Sequence, residues 1–277
     1  MTSPPRAPGR IAVIGGGGRL PGLLVEALAG ADPVLAEMAG FPFDGAGEQP
    51  VERFRIERLV PFLDRLRALG VGRVVMAGRM ARPALDPAAL DPGTAALVPR
   101  LMAAMAAGDD TTLRMVVALF EEAGFAVIGA ADIRPDLVPG AGVLGAVAPD
   151  ARAEGDAARA ADIVAALGAV DVGQGAVVAG GLCLGLEALP GTDVMLAQVA
   201  ALPGAGRGGV LFKAPKPGQE MRVDMPALGP DTVQAAAAAG LAGIAWAAGG
   251  VMLIDRAAAV AAADAAGLFL WSREATG

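Results

Sequence analysis

Residues 11 to 22 read Ile-Ala-Val-Ile-Gly-Gly-Gly-Gly-Arg-Leu-Pro-Gly, a short apolar run followed by four glycines in succession. A helix-like segment, residues 20 to 28, overlaps the end of this stretch. A strand, a glycine loop and a helix in this order are the first unit of a parallel α/β sheet. The helix amino terminus that follows such a loop can bind an anion. The stretch therefore predicts a doubly wound, Rossmann-like sheet near the start of the chain.

Strand and helix patterns of the same kind continue to about residue 132, where a passage rich in proline and glycine begins. A chain of 277 residues is long enough for two domains. We predict a Rossmann-like N-terminal domain over residues 1–132, a linker over 133–150, and a second α/β domain over 151–277.

The glycine loop does not match the dinucleotide-binding fingerprint. That fingerprint requires Gly-x-Gly-x-x-Gly between strand and helix, with an acidic residue about twenty positions further on. In the two possible registers the third glycine is replaced by Leu20 or Pro21. An NAD(P)-dependent oxidoreductase is therefore a weak alternative. Gly16, Gly17, Gly18, Leu20 and Pro21 remain candidates for contact with a phosphate or nucleotide, and a tight structural turn explains the loop equally well.

The composition is that of a buried globular protein, with 55% hydrophobic residues, 18% charged residues and a mean hydropathy of +0.54. A net charge of −7, without an arginine-rich run, makes nucleic acid an unexpected partner. The single cysteine, Cys183, excludes an internal disulfide and is expected to be a small buried hydrophobe among apolar neighbours. The first residues lack the pattern of a signal peptide, so we expect a cytoplasmic protein.

The sequence contains no histidine and no tyrosine. Catalytic arrangements that use histidine, such as Ser-His-Asp triads and zinc sites built on imidazole, are therefore excluded. Acid–base or metal chemistry must use carboxylates, lysine or water bound to a metal. A metal held by carboxylates alone is a hard ion, Mg²⁺ or Mn²⁺.

No charged residue lies between Asp231 and Asp255, a length that could span a bilayer. The run is mostly alanine and glycine, and several glycines interrupt it. We therefore predict an alanine-rich helix over 232–239 and two short buried strands over 243–247 and 251–254, instead of a transmembrane helix.

Both lysines of the chain, Lys213 and Lys216, lie in one segment with Arg222 and Asp224, whereas every other cationic side chain is an arginine. A compact ammonium on a flexible stem differs from a planar guanidinium, so the two lysines indicate a specific role. We predict that Lys213, Lys216 and Arg222 neutralise a phosphorylated substrate, and that Asp224 holds Mg²⁺ or orients a water molecule. If the segment is extended, Arg222 and Asp224 lie on one side of it. A solvated loop is the alternative.

Four further residues are weaker candidates. Asp193 and Asp110 could be metal ligands, although both also fit the first turn of a helix, where an acidic residue is favoured. Arg79 and Arg82 follow a strand of the predicted parallel sheet, at the end where such sheets bind ligands. Each arginine could hold a phosphate or face solvent.

Several motifs together resemble those of one family, the magnesium-dependent UDP-2,3-diacylglucosamine pyrophosphatases of lipid A biosynthesis (LpxI type). The motifs are Gly108-Asp-Asp-Thr-Thr-Leu-Arg114, Asp171-Val-Gly-Gln174, Glu187-Ala188, Gly191-Thr-Asp-Val-Met195, Lys213-Ala-Pro-Lys-Pro-Gly-Gln219 and Arg222-Val-Asp224. With the glycine loop, the resemblance spans nearly the whole chain.

The resemblance implies hydrolysis of UDP-2,3-diacylglucosamine to UMP and 2,3-diacylglucosamine 1-phosphate (lipid X), with Mg²⁺. It also implies a family-specific C-terminal catalytic domain and a lipid substrate held between the two domains. Asp224 is the residue that it ties most closely to activity, and Gln174, Thr192 and Gln219 lie in motifs expected to contact the substrate. A homodimer and a weak peripheral contact with the inner membrane are further expectations; the acidic net charge argues against firm docking on anionic lipid.

The chain departs from the family pattern at three positions. Pro190 and Ala247 stand where the family has glutamates, and Gln198 stands where an arginine is common. The lost charges leave open a nucleotide-sugar or lipid-binding protein of the same fold with weakened catalysis. A non-catalytic interaction protein is a further alternative, which no repeat or charged tail supports.

Overall fold

The computed structural model describes residues 9–81, 83–204 and 208–274. Contacts within the chain divide it into two compact units. The first unit runs to Pro135 and includes the later segment Arg222–Asp224; the second contains Asp136–Met221 and the chain from Met225 onward. The segment 213–224, which holds both lysines, therefore contributes residues to both units.

The first unit is a five-stranded parallel sheet with helices. Its strands are β1 (Arg10–Gly15), β2 (Val34–Met38), β3 (Val51–Phe54), β4 (Val71–Ala77) and β5 (Ala126–Ile128). Its helices up to Pro135 are α1 (Arg19–Ala27), α2 (Leu59–Ala68), α3 (Pro92–Ala95), α4 (Val98–Ala107), α5 (Asp109–Glu122) and α6 (Ala130–Ile133). Short 3₁₀ helices cover Ile56–Arg58, Pro87–Ala89 and Pro135–Leu137, the last of which reaches into the second unit.

The strand order in this sheet is β3-β2-β1-β4-β5, and all neighbouring pairs are parallel. The chain builds outward from β1 to β3 and then crosses back to place β4 on the other side of β1. The strand order thus reverses between β1 and β4, whose last residues, Gly15 and Ala77, are paired. Crevices at such reversals, outside the carboxyl ends of the strands, are where open α/β sheets bind ligands.

Helix α2 shows how the sequence builds this unit. Its buried residues Leu59, Phe62, Leu63 and Leu66 follow the spacing that puts side chains on one face of a helix. These side chains belong to one apolar cluster with Ala12 and other residues of the sheet. The apolar face fixes the helix against the sheet.

The second unit contains a six-stranded mixed sheet and a two-stranded parallel one. The strands are β6 (Gly142–Leu144), β7 (Gly175–Ala179), β8 (Leu182–Leu186), β9 (Val210–Lys213), β10 (Ala227–Leu228), β11 (Gly243–Ala247), β12 (Met252–Leu253) and β13 (Phe269–Arg273). The helices along this part of the chain are α7 (Ala151–Ala169), α8 (Thr192–Ala200), α9 (Met221–Asp224), α10 (Pro230–Ala238) and α11 (Arg256–Ala266). Of these, α9 lies mostly in the first unit.

The larger sheet has the order β6-β13-β11-β9-β7-β8, and β10 pairs with β12 in the smaller one. Strands β13, β11 and β9 are parallel, whereas β6, β7 and β8 run antiparallel to their neighbours. Both faces are covered: Leu211 of β9 joins one apolar cluster, while Val210 and Phe212 join another. Since side chains alternate along a strand, Lys213 points to the same face as Leu211.

The α/β fold class predicted from the sequence is confirmed, with the parallel sheet in the N-terminal part and a second sheet in the C-terminal part. The uncharged run forms α10, β11 and β12, and none of the helices in the described ranges is long and apolar enough to cross a membrane. Strands β3 and β13 and helix α11 were not anticipated. Strand β6 lies inside the segment predicted to be a linker.

Cys183 is exposed, so the prediction that it is a buried hydrophobe is wrong. The residue lies on β8, which is the last strand of its sheet. Apolar neighbours in the sequence suggested a strand covered on both faces. As an edge strand, β8 is only partly covered, and the residues at both of its ends, including Cys183, are in contact with solvent.

Two glycines allow a close approach of backbones in the first unit. Gly45 has φ +87°, and a Cβ built on it would lie 2.6 Å from the Cα of Gly22 in α1. Gly47 also has a positive φ, +61°, but a Cβ there would meet nothing within 4 Å. At both positions the backbone conformation would be strained for any residue other than glycine. The two positions differ in the space around them.

We expect Gly45→Ala to lower the free energy of unfolding by about 2 kcal/mol more than Gly47→Ala, because only the first substitution also forces two backbones apart. Thermal and denaturant unfolding of both variants measures the difference. Equal destabilisation would show that the approach of Gly45 to Gly22 does not constrain the fold.

Candidate active site

A buried lysine lies at the carboxyl end of β9. The Nζ atom of Lys213 donates a hydrogen bond to Thr192 Oγ1 at 2.7 Å. The Thr192 hydroxyl in turn donates to Glu187 Oε2 at 2.9 Å, and the ammonium and this carboxylate oxygen are 3.7 Å apart. The side chains of Lys213 and Glu187 are 7% and 9% exposed. These three residues form what we call the buried lysine network.

Glycines leave the space that this network needs. Gly175 of β7 is paired with Lys213, and a Cβ built on it would lie 2.4 Å from Glu187 Oε2. A Cβ on Gly173 would lie 1.9 Å from the Glu187 carbonyl oxygen. The Glu187 amide donates to the Gly175 carbonyl at 2.8 Å, which fixes the backbone that carries the carboxylate.

The second lysine is partly exposed and lies in the loop after β9. Lys216 Nζ pairs with Asp171 Oδ1 at 2.6 Å, and the lysine side chain is 18% exposed. The Lys216 amide donates to Gln219 Oε1 at 2.8 Å, and Gln219 Nε2 donates to Gln174 Oε1 at 3.3 Å. The Gln174 carbonyl accepts a hydrogen bond from the Ala214 amide at 3.0 Å. Backbone and amide groups thus tie this loop to the start of β7.

The structure brings together five of the residues predicted from the sequence. They are the two lysines with Gln174, Thr192 and Gln219, all within the second unit. Glu187 and Asp171, which hold the two ammonium groups, were quoted only as parts of motifs. A signal in the sequence could have identified Glu187. It is an isolated acidic residue that follows the apolar run Leu182-Cys-Leu-Gly-Leu186.

Arg222 and Asp224 lie in α9, a single helical turn. The segment is therefore not extended here, which was the condition for the two side chains to share one side; residues two apart on a helix point about 200° apart. Arg222 Nη1 pairs with Glu121 Oε1 at 2.6 Å, and the turn belongs to the first unit. Val223, between them, packs against the apolar cluster of that unit.

The other candidate metal ligands, Asp110 and Asp193, each lie in the first turn of a helix. Asp110 is in the first turn of α5 and forms an ion pair with Arg114 one turn later. Asp193 is exposed in the first turn of α8, in the second unit. Within the described ranges, three or more acidic or cysteine side chains never lie close enough together to hold a metal by themselves. Any metal here would need further ligands from water or substrate.

Hydrogen bonds within the protein use the amides of the glycine loop. Gly16 donates to the Ala77 carbonyl at 2.9 Å, and Gly17 exchanges two hydrogen bonds with Arg79 at 3.0 and 2.7 Å. The Gly18 amide, at the amino terminus of α1, donates to Asp44 Oδ2 at 2.7 Å. A carboxylate of the chain thus occupies the place where a phosphate would bind. These contacts support the structural interpretation of the loop.

The remaining loop and strand-end candidates differ in exposure. Leu20 is half-buried and Pro21 is buried in the first turn of α1. The Arg79 side chain is exposed at the carboxyl end of β4, beside the reversal of strand order. Arg82 lies outside the described residues.

Glu37, near the end of β2, is the acidic residue about twenty positions after the glycine loop. Its carboxylate accepts hydrogen bonds from the Phe43 amide at 2.9 Å and from Arg53 Nε at 2.6 Å. The hydrogen bond from the Phe43 amide is the main cause that lowers the pKa of Glu37. Burial raises this pKa in part, and Arg53 lowers it further. The carboxylate thus holds the loop after β2. The same oxygens would be needed to bind the ribose of a dinucleotide.

The three departures from the family pattern leave the buried lysine network in place. Pro190 and Gln198 are exposed, and Ala247 is half-buried at the end of β11. The hydrogen bonds of Lys213 and Thr192 involve none of these residues.

We expect the stabilisation by Glu37 to depend on pH. Because folding lowers its pKa, Glu37 stabilises the protein above the unfolded-state pKa of about 4.3 and loses this effect as the pH falls through the folded-state pKa. The difference in unfolding free energy between native protein and Glu37→Gln should be larger at about pH 7 than at about pH 3. Urea unfolding over this range measures it, with the exposed Glu48→Gln as control. A difference that stays constant with pH would contradict this role.

Comparisons with known proteins agree on one family. Residues 10–137 match the model of the LpxI N-terminal domain, and residues 140–271 match that of the LpxI C-terminal domain. The UDP-2,3-diacylglucosamine pyrophosphatase LpxI of Caulobacter vibrioides is 41% identical over 271 residues, which cover 94% of this chain and 96% of that protein. Both domains and nearly the full length of the relative are represented, so the chain belongs to the LpxI family.

Proposed function

We propose that this chain hydrolyses the diphosphate of UDP-2,3-diacylglucosamine to UMP and 2,3-diacylglucosamine 1-phosphate, a step of lipid A biosynthesis. The observation that carries the proposal is the 41% identity, over both domains, to a relative named as the pyrophosphatase for this substrate. The buried lysine network supports it, because a diphosphate needs cations around it.

Cleavage of a phosphoanhydride requires neutralised charge, alignment and an activated water more than covalent chemistry by the protein. The oxygen of a water molecule attacks one phosphorus, the bridging P–O bond breaks, and the departing phosphate oxygen takes the electron pair. Lys213, Lys216 and Arg222 would neutralise the diphosphate, and Asp224 would accept the proton of the water or orient it. The amides of Gln174 and Gln219 would hold substrate oxygens.

The environment of Lys213 suits this role. Its Nζ atom carries three hydrogens, and one hydrogen bond within the described residues, to Thr192, uses one of them. The ion pair with Glu187, at 3.7 Å, is longer than a hydrogen bond. A buried ammonium attracts an anion more strongly than one in water does, because the surrounding dielectric is low.

We propose Mg²⁺, which Mn²⁺ could replace, as the cofactor. Mg²⁺ in phosphoryl-transfer sites is usually held by one or two carboxylates together with substrate phosphates and water. The described residues contain no group of three acidic or cysteine side chains that could hold a metal in advance, which fits an ion completed by substrate and water. When bound, the ion would polarise a phosphoryl oxygen and lower the pKa of a water. Asp224 is the proposed ligand, with Asp110 and Asp193 as weaker candidates.

The test is release of UMP from UDP-2,3-diacylglucosamine, with Mg²⁺ and with a chelator, by the native protein, Asp224→Asn and the control Asp162→Asn. Asp162 is exposed on α7. We expect the chelator to abolish release, and Asp224→Asn to lower kcat/KM by at least about a hundredfold while the control stays native.

Two results would contradict the proposal. Binding of the substrate without any UMP release would favour the alternative, a binding protein with weakened catalysis. Neither binding nor release by the folded protein would remove this substrate from consideration.

We also propose a homodimer formed through β8. This strand ends its sheet, and Leu182 and Leu186 at its two ends are 70% and 46% exposed. Leu189, just beyond it, is 92% exposed. An exposed apolar edge strand favours pairing with another strand, and two copies of β8 related by a twofold axis would pair with each other. Contact with membrane lipid would be weak, since the net charge of −7 opposes anionic surfaces.

The double variant Leu182→Lys/Leu186→Lys should be monomeric, because its charges repel across the paired strands. Met102→Lys, at an apolar residue of the first unit that is 52% exposed, is the control and should keep the native state. Light scattering after gel filtration measures both. An unchanged mass of the double variant, or a monomeric native protein, would contradict the proposed interface.

A further inference from the structure

We infer that Glu187 is a positioning residue for this reaction, whose buried carboxylate acts through the Thr192 hydroxyl to hold the Lys213 ammonium toward the substrate diphosphate. The inference rests on the proposed function and deepens it.

The donor and acceptor groups of the network allow its hydrogen bonds to run in one direction only. A carboxylate can only accept, so the hydroxyl hydrogen of Thr192 points to Glu187 Oε2, 2.9 Å away. The lone pairs of the same oxygen then face Lys213 Nζ, 2.7 Å away, which can only donate. Glu187 therefore fixes the orientation of the hydroxyl, and the hydroxyl fixes the ammonium. The hydrogens of Nζ that Thr192 does not use remain for another acceptor.

Stability alone is a weak explanation for this arrangement. Lys213 and Glu187 are both more than nine-tenths buried, and burying two charges costs more than a pair of this kind typically returns. The two charges are 3.7 Å apart, which is longer than a hydrogen bond, and the Thr192 hydroxyl bridges them. An ammonium held at a distance from its counter-ion retains attraction for a second anion, which a tight ion pair would not.

The backbone around Glu187 is arranged to accept its carboxylate. A Cβ on Gly175 would displace Oε2, the mobile end of the side chain, at 2.4 Å, whereas the nearest other atoms of Glu187 are 3.4 Å away or more. Gly175→Ala should therefore move the carboxylate at little cost in stability, with every charged group retained. Gly140→Ala is the matched control, because a Cβ there meets nothing within 4 Å and its φ is not positive.

The first experiment measures UMP release by Glu187→Gln, Gly175→Ala and Gly140→Ala. We expect Glu187→Gln to lower kcat/KM between about tenfold and a hundredfold, and Gly175→Ala, which keeps both charges and a melting temperature close to native, to lower it about tenfold. Gly140→Ala should remain native. Native kinetics for both Glu187→Gln and Gly175→Ala would overturn the inference.

A double-mutant cycle separates positioning from a structural role. If Glu187 acts through Lys213, Glu187→Gln causes no further loss once Lys213→Met is present. A residue that only supports the fold would cost the same factor in both backgrounds, and that result would overturn the inference. Thr192→Ser, which keeps the hydroxyl, should retain activity that Thr192→Val loses.

A further readout does not require turnover. The chain has two lysines, so protein labelled with ¹³C at lysine Cε gives two signals, which Lys213→Arg and Lys216→Arg assign. Glu187→Gln should shift the Lys213 signal and leave that of Lys216 in place. A Lys213 signal that does not move overturns the inference, even if the native protein is inactive. If the native protein is inactive but the signal shifts, the result counts against the proposed function alone.

Discussion

The structure at the carboxyl end of β9 depends on accommodating one buried ammonium and one buried carboxylate, which a hydroxyl bridges. Lys213 ends the strand, and Glu187 reaches it from the end of the β7–β8 hairpin. The pair requires Gly175 opposite the lysine, because a larger residue would occupy the space of the carboxylate. It also requires α8 to begin at Thr192, which the positive φ of Gly191 permits. Removing either charged side chain would leave the other one buried without its partner.

The segment that contains both lysines also contributes to the two compact units of the chain. Its first part holds Lys213 and Lys216 in the second unit, and its end, Arg222–Asp224, belongs to the first. The loop is stiffened by prolines that pack closely: Pro215 lies against Gly250 and Pro217 against Gly168, where a Cβ would be within 3 Å of each ring. A stiff connection of this kind reduces the conformational freedom of the groups proposed to act on the substrate.

Composition and local pattern predicted the part of the site that depends on residue type. The two lysines stood out because the chain otherwise uses arginine, and both now lie within hydrogen-bonded clusters. The strand–glycine–helix order of residues 11 to 28 likewise predicted β1 and α1. These features are local, so the sequence carries them directly.

Features that depend on contacts distant in sequence could not be predicted in this way. Asp44 reaches the Gly18 amide across 26 positions, and Glu187 depends on the register between β7 and β9. The Arg-Val-Asp motif alternates like a strand, yet Val223 packs on the first unit and the motif forms a helical turn. Cys183 has apolar neighbours, but its position on an edge strand exposes it.

We propose that Lys213 and Lys216 both contact the diphosphate of the substrate. This contact is tested most directly by adding UDP-2,3-diacylglucosamine to Asp224→Asn protein labelled with ¹³C at lysine, in which these are the two lysine signals. We expect both signals to shift in a saturable way, that of Lys213 with the larger change, and UMP at the same concentration to shift them less. Saturable binding of the substrate that leaves both lysine signals unmoved would contradict it.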